Sequence, residues 1–221
     1  RWAGADFWES QAKRPGLTLD ELLDRSEVVD VGIDGGGLDD LLGLAVVGRD
    51  KETREWLTWT HAWAHPSVLE RRKSEAARFQ DFAKDGNLTL VQTIGEDVED
   101  VAGICALIEA RGLLDKIGCD PAGLGGIVDA LAEAGLPEEK LIGVSHGWKL
   151  TGAIKTAERK LAEGVLVHGG QPLMAWCVGN AKVEPRGNAV IITKQAAGSA
   201  KIDPLMGLFN AVTLMSLNPV T

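Results

Sequence analysis

Three aspartates stand where apolar stretches begin or end. Asp34 closes "VVDVGID", Asp120 closes "KIGCD", and Asp203 opens "DPLMGLFNAVTLMSLN". A carboxylate beside buried chain is costly unless something neutralises it. Like charges held together call for a cation. Carboxylate oxygens without a cysteine or histidine cluster favour Mg²⁺ or Mn²⁺ over zinc. Two such ions about 4 Å apart can activate a water and stabilise a leaving oxygen in phosphodiester cleavage. The spacing equally permits three cap or turn residues, positions where Asp is common.

The chemistry depends on which elements carry these acids. Strand-like segments at 28–34, 41–48 and 54–63 lie too close for intervening helices, which predicts an antiparallel meander. Three glycines after Asp34 let the chain turn into the second strand and leave the strand end open. A charged helix is expected from Ser67 to Gly86. Strands at 88–94, 116–120, 140–145 and 165–169 then alternate with helices at 97–113, 123–134, 148–163 and 171–180. Such alternation implies crossovers and parallel strands. A strand at 187–195 and a helix at 201–218 close the chain. The expected fold class is α/β, a mixed sheet of an antiparallel three-strand meander plus parallel strands, with helices on both faces. If the first strand and "KIGCD" are parallel neighbours, Asp34 and Asp120 sit side by side at their carboxyl ends. Residues 1–27, with "RPG" at 14–16, read as a linker and a short helix capped by Thr18. The domain proper is then 28–221.

Composition restricts the function. The 221 residues carry a formal charge of −9, 45% hydrophobic and 25% charged residues, which is ordinary for a globular domain and unusual for a free-standing nucleic-acid binder. Cys105, Cys119 and Cys177 form no CxxC and fit buried packing positions. No apolar run reaches membrane-spanning length, so no membrane partner is expected.

The segments "VGIDGGGLDDLLGLAVVG", "GCDPAGLGGIVDAL", "GVSHGWKLTGAIKTAERKLAEG", "VHGGQPLMAWCVGNAKVEPRGN" and "KIDPLMGLFNAVTLMS", taken in order, resemble the C-terminal nuclease domain of the large terminase subunit of tailed double-stranded DNA phages. The resemblance spans most of 28–218 and implies an RNase H-like fold. It implies a metal-dependent endonuclease that cuts concatemeric viral double-stranded DNA during genome packaging, using Mg²⁺ or Mn²⁺, two ions when loaded. Asp34, Asp120 and Asp203 would be its metal ligands, and Asp40 a supporting one. The partners implied are double-stranded DNA, a terminase ATPase domain, the portal protein and the small terminase subunit, at the prohead in the host cytoplasm. No GxxxxGK[ST] phosphate loop is present, so ATP hydrolysis by that route is not expected. The start at Arg1 fits a domain cut from a longer protein.

Basic residues suggest where DNA could lie. Lys194 and Lys201 flank the approach to Asp203; Lys149, Lys155 and Arg159 lie on the 148–163 helix, the last two on one face. The run Arg71–Lys73 reads as a solvated helix face. "HAWAHP" would hold zinc only if helical, and its tryptophans favour a strand. His146 and His168 end strand-like runs, toward the side of Asp120 if those strands are parallel; each reads as a structural histidine, with a role near the scissile phosphate as the alternative. Trp56, Trp59 and Trp63 read as sheet packing, and Asn180 as a helix cap. An actin-like phosphate-binding ATPase or kinase fragment shares the strand–Asp–glycine pattern, but this chain shows no second Asp-Gly loop. A Holliday-junction resolvase would share the strand-end acids but should be basic. A non-catalytic DNA- or portal-docking module is the remaining alternative.

Overall fold

The structure is a computed structural model that describes residues 1–11, 16–121, 125–194 and 201–221, with Lys194 described in its backbone alone. Arg14 and Pro15 of the "RPG" turn, the first residues of the expected 123–134 helix, and Gln195 lie outside the described residues.

The meander forms as expected: β1 (Ser26–Gly35), β2 (Leu42–Asp50) and β3 (Trp56–Ala64), joined by short turns. Four shorter strands follow: β4 (Leu88–Leu90), β5 (Leu114–Cys119), β6 (Leu141–Gly143) and β7 (Leu166–His168). The sheet order is β4-β3-β2-β1-β5-β6. β7 shares the outer edge of β3 with β4, pairing at Trp56–Thr58 while β4 pairs at Ala62–Ala64. β1–β2 and β2–β3 are antiparallel, and all pairings of β4 to β7 are parallel.

Helices cover both faces. One face packs α2 (Leu19–Arg25), α5 (Glu96–Ala110) and α6 (Gly125–Glu133) on Val29, Val31, Ile33, Leu42, Leu44 and Val46. The other carries α4 (Ala76–Lys84), α7 (Thr151–Glu163), α8 (Pro172–Gly179) and α9 (Asp203–Met215) over Val28, Ala45, Val47, Ala62 and Ala64. Double coverage explains why β2 is buried at every residue and reads as a nearly continuous apolar run. None of the described helices is long and apolar enough to cross a membrane.

α9 determines where the site forms. It lies across β1 and β2 with almost no separating side chains. Gly32, Gly43 and Gly118 are its seat: a Cβ on Gly32 would overlap the carbonyl oxygen of Gly207, and one on Gly43 would lie 2.5 Å from the carbonyl carbon of Asp203. On Gly118 it would come within 3.1 Å of Leu214. Helix and sheet approach this closely only where the strands lack side chains.

Several expectations need correction. The linker expected at the chain start contains α1 (Gly4–Ser10), which packs into the core. Trp2 is fully buried, edge-on to Phe209 and donating to Glu158, and Trp8 stacks on His168 at 3.9 Å. Burying a large apolar side chain is worth roughly 1.5–3 kcal/mol, which holds this segment to the domain. The Ser67–Gly86 helix is split into α3 (Pro66–Arg71), a 3₁₀ turn at Lys73–Glu75 and α4. The single strand at 187–195 is a hairpin, β8 (Ala181–Arg186) with β9 (Ala189–Lys194), separate from the main sheet.

Candidate metal centre

The period of two along a strand sets the first acid. Val28, Asp30, Gly32 and Asp34 alternate with Val29, Val31 and Ile33, which belong to the opposite core. Asp34 therefore falls on the α9 side, at the carboxyl end of β1. β5 runs parallel to β1 with Ile33 opposite Cys119, so Asp120, the next residue, comes up beside Asp34. Asp203 arrives from α9, at the helix N-terminus, where the macrodipole favours a negative charge. Its carboxylate reaches the strand end: a Cβ on Gly35 would meet Asp203 Oδ1 at 2.8 Å. Gly35, Gly36 and Gly37 all have positive φ, the left-handed turn that leads the chain away from Asp34. Asp203 is close enough to Asp34 and Asp40 for each to perturb its protonation.

Burial and crowding shift these acids upward. Burial raises Asp34 to about 6; His146 opposes the shift, while Asp120 and Asp40 add to it. Asp203 is 7% exposed and is pushed well above the carboxylate range by burial and by Asp40 and Asp34, with Lys201 pulling the other way. Without added positive charge, the cluster holds protons that a cation would displace.

Two further groups complete the surroundings. His146 follows β6, with Nε2 3.0 Å from Asn210 Oδ1 and Nδ1 3.5 Å from Asp120 Oδ2. Asn210 Nδ2 donates to the Ile33 carbonyl at 2.9 Å, which turns its Oδ1 toward His146 and makes Nε2 the protonated nitrogen. Nδ1 then faces Asp120. One donor atom each from Asp34, Asp120 and His146 lie within 4.8 Å of one another. This three-donor group fits a divalent cation, and the mainly oxygen set of the wider cluster suits Mg²⁺ or Mn²⁺. On the other side, Lys201 Nζ donates to Asp40 Oδ1 at 2.6 Å.

Of the proposed acids, the structure brings Asp34, Asp120, Asp203 and Asp40 together. Lys201 is corrected: it is 2% exposed and is the internal counter-ion of Asp40, out of reach of a DNA phosphate. Removing such a lysine would strand the carboxylate charge it faces, which is costlier than the intact pair. Lys149, Lys155 and Arg159 are exposed; Lys155 lies 3.9 Å from Glu158. The side chain of Lys194 lies outside the described residues. His146 was read as structural, and its one sequence signal was its place at the end of a strand parallel to "KIGCD". His168 is structural, with Nε2 2.8 Å from the Trp8 carbonyl. The "HAWAHP" histidines have separate partners, His61 with Thr89 and His65 with Asp97. Trp56 and Trp63 pack in the sheet cores. Asn180 caps α8 and also donates to the Lys201 carbonyl. Asp39, next to Asp40, is exposed and pairs with Arg71.

A mixed sheet with acids at the ends of the first and central strands and on a closing helix defines the RNase H-like nuclease architecture. The family model "Terminase large subunit, endonuclease domain" matches residues 21–218, and the chain belongs to that family. Among solved structures, the large terminase of bacteriophage HK97 superposes with a TM-score of 0.77 at 22% identity, covering 95% of this chain and 42% of that one. The nuclease domain of the g2p large terminase of bacteriophage SPP1, with bound Mn, gives 0.52 at 14% identity, covering 91% and 94%. The large terminase nuclease of thermophilic phage G20c, with bound magnesium, gives 0.52 at 16%, covering 84% and 80%. Protein YmfN of Escherichia coli strain K12 is 25% identical over 161 residues, which is 72% of this chain and 34% of YmfN. The chain thus spans about a third of that relative's length.

Proposed function

We propose that this domain is a metal-dependent endonuclease that cuts concatemeric viral double-stranded DNA during genome packaging. The observation that carries the proposal is the meeting of Asp34, Asp120 and Asp203 at one strand end, from positions as far apart as 169 residues in sequence (203 − 34). Two of the solved relatives, the phage SPP1 nuclease domain with bound Mn and the phage G20c nuclease with bound magnesium, support the same reading.

Asp34, Asp120 and His146 would hold one ion, and Asp34 with Asp203, supported by Asp40, a second. When bound, such ions activate a water and stabilise the leaving oxygen of a phosphodiester. The protein supplies the rest. Asn210 fixes the His146 ring so that Nδ1 faces Asp120. Lys201 holds Asp40 in place through its 2.6 Å hydrogen bond. The glycines after Asp34 leave the strand end free of side chains, so a DNA backbone can approach. Lys149, three residues after His146 in sequence and exposed, is the candidate to meet phosphate. Among the described residues no element resembles a base-reading recognition helix, and little sequence preference is expected. In the whole protein the domain would work beside a terminase ATPase domain, with the portal protein and small terminase subunit, at the prohead in the host cytoplasm.

The test is plasmid cleavage. Supercoiled plasmid with Mn²⁺ or Mg²⁺ should be nicked and then linearised, and EDTA should abolish both. Asp34→Asn and Asp120→Asn should each cut at least about 100-fold more slowly, the order of a lost principal catalytic group. A wild type that never nicks, or variants that cut at the wild-type rate, would refute the proposal. ATP turnover without cutting would favour a phosphate-loop reading.

A further inference from the structure

At the far end of the sheet from the metal centre lies a second polar concavity of about 330 Å³, between α7, the start of β3 and the end of α9. Trp56 at its edge is six residues along β3 from Ala62, which aligns through Gly43 with Asp34. At about 3.3 Å per residue this is roughly 20 Å from the catalytic carboxylates.

Its lining is rich in donors. Thr156, Arg159 and Lys160 stand at i, i+3 and i+4 on α7, and share one face. Lys160 Nζ sits 4.3 Å from the centre of the Trp56 ring, and among the described residues it forms no ion pair. Arg159 has only a 3.8 Å contact with Glu163, both largely exposed, a pairing of little strength in water. Asn218, at positive φ, accepts from Arg49 Nη1 through Oδ1 at 3.0 Å, so its Nδ2 hydrogens remain to donate. No carboxylate lines the concavity. An adjoining open cleft shares Arg49 and Asn218 and adds Arg54. Arg49 and Arg54 are paired with Glu27, Arg49 Nε lying 2.6 Å from Glu27 Oε1, and Glu163 stands beside Arg159, which leaves Lys160 as the cation of the concavity without a carboxylate in ion-pair contact among the described residues. Burial and the neighbouring Arg159 lower the pKa of Lys160, with Glu163 partly opposing them, and a bound anion would relieve the remaining cost.

We infer that Arg159, Lys160, Thr156 and Asn218 form a phosphate-binding site separate from the metal centre. The phosphate could belong to a nucleic-acid backbone or to a small ligand. Trp56 is buried beneath Lys160 and is unavailable for stacking, so recognition is of the oxyanion and not of a base. The site does not depend on the nuclease reading, and its test excludes catalysis.

Binding of a labelled 30-base-pair duplex is measured by anisotropy in EDTA across a salt series, for wild type and Arg159→Gln/Lys160→Gln. In parallel, inorganic phosphate is titrated against the Trp56 indole N–H resonance, with NaCl at matched ionic strength as control. Circular dichroism and thermal melts check that the variant is folded. If the site takes nucleic acid, duplex affinity falls about tenfold and the log–log salt slope shrinks by roughly two, near one per lost phosphate contact. If it takes a small phosphate, duplex binding is unchanged, but the Trp56 signal shifts saturably with phosphate in wild type and not in the variant. Unchanged duplex binding with no phosphate-specific shift would overturn the proposal.

Discussion

Gly32 of β1 lies directly beneath Gly207 of α9. A Cβ on Gly32 would overlap the Gly207 carbonyl oxygen and come within 2.7 Å of the Ala211 amide nitrogen. Both neighbours are backbone, so neither can move without shifting the helix. α9 carries Asp203 and Asn210, so this contact sets the height of one acid and, through Asn210, the orientation of His146.

Gly32→Ala should therefore be costly. Overpacking a core usually costs about 1–3 kcal/mol, and a clash with helix backbone should fall at or beyond the upper end. The expected outcome is a melting temperature lower by roughly 10 °C or more, or insoluble protein. Gly103→Ala is the contrast, because a Cβ there meets nothing within 4 Å and Gly103 lies inside α5. It should be neutral or stabilising by up to about 1 kcal/mol. Equal losses in both variants would show that α9 can lift without penalty.

Asp203→Asn separates stability from metal binding. In EDTA the substitution removes a charge that must otherwise be suppressed against Asp34 and Asp40. The melting temperature should stay the same or rise. A ligand that binds only the folded state stabilises it by RT ln(1 + [L]/Kd). Wild type should therefore melt higher with millimolar Mn²⁺, by about 2.7 kcal/mol at a hundred times Kd, and the variant should lose most of that response. A variant with the full Mn²⁺ response would remove Asp203 from the metal centre.

The meeting of Asp34 and Asp120 is legible in the sequence because it follows from short-range rules. Strands joined by short turns are antiparallel, strands joined through helices are parallel, and parallel neighbours share a carboxyl end. Contacts between distant segments leave no such local pattern. Lys201 precedes a helix and reads as a surface cation; its partner Asp40 is 161 residues away. Trp2 and Trp8 look like part of a linker because the surfaces that cover them, Phe209 and His168, appear only after folding. β8, "AKVEPR", is polar and contains Pro185; among the described residues it pairs only with β9. His146 depends on Asn210 for its orientation, another long-range contact.

Lys201 provides a double-mutant test. Lys201→Met leaves Asp40 and Asp203 facing each other without the ammonium. Asp40 is partly exposed, at 38% for its side chain, so water offsets some of the loss. The single variant should be destabilised by roughly 1–3 kcal/mol, less than the 3–5 typical of a fully buried pair. Asp40→Asn in the same background removes the stranded charge and should recover part of the loss. Chemical denaturation of wild type, both singles and the double gives the coupling energy. Additive losses would mean that the 2.6 Å contact contributes nothing specific.

Asp30 gives a pH prediction away from the metal centre. Register between β1 and β5 slips here: Val29 faces Leu114 and Val31 faces Ile117, so β5 has one extra residue opposite Asp30. The bulge frees the Lys116 N–H, which donates to Asp30 Oδ1 at 3.1 Å. Asp30 is fully buried. Burial, with a hydrogen bond and like charge from Asp115, raises it to about 9. The unfolded chain loses this proton near pH 4, while the folded chain keeps it. Between about pH 4 and 9 the folded state binds more protons, so stability falls as pH rises through that window. Asp30→Asn keeps an acceptor for Lys116 and offers a donor to Asp115, without a titrating proton. Near pH 4.5 the two proteins should have similar stability. By pH 8 the variant should be more stable, by on the order of 1–3 kcal/mol after allowing for the coupled pair. Urea unfolding at a series of pH values measures the difference, and a gap that is flat or widens toward acid would mean that Asp30 is ionised in the folded protein.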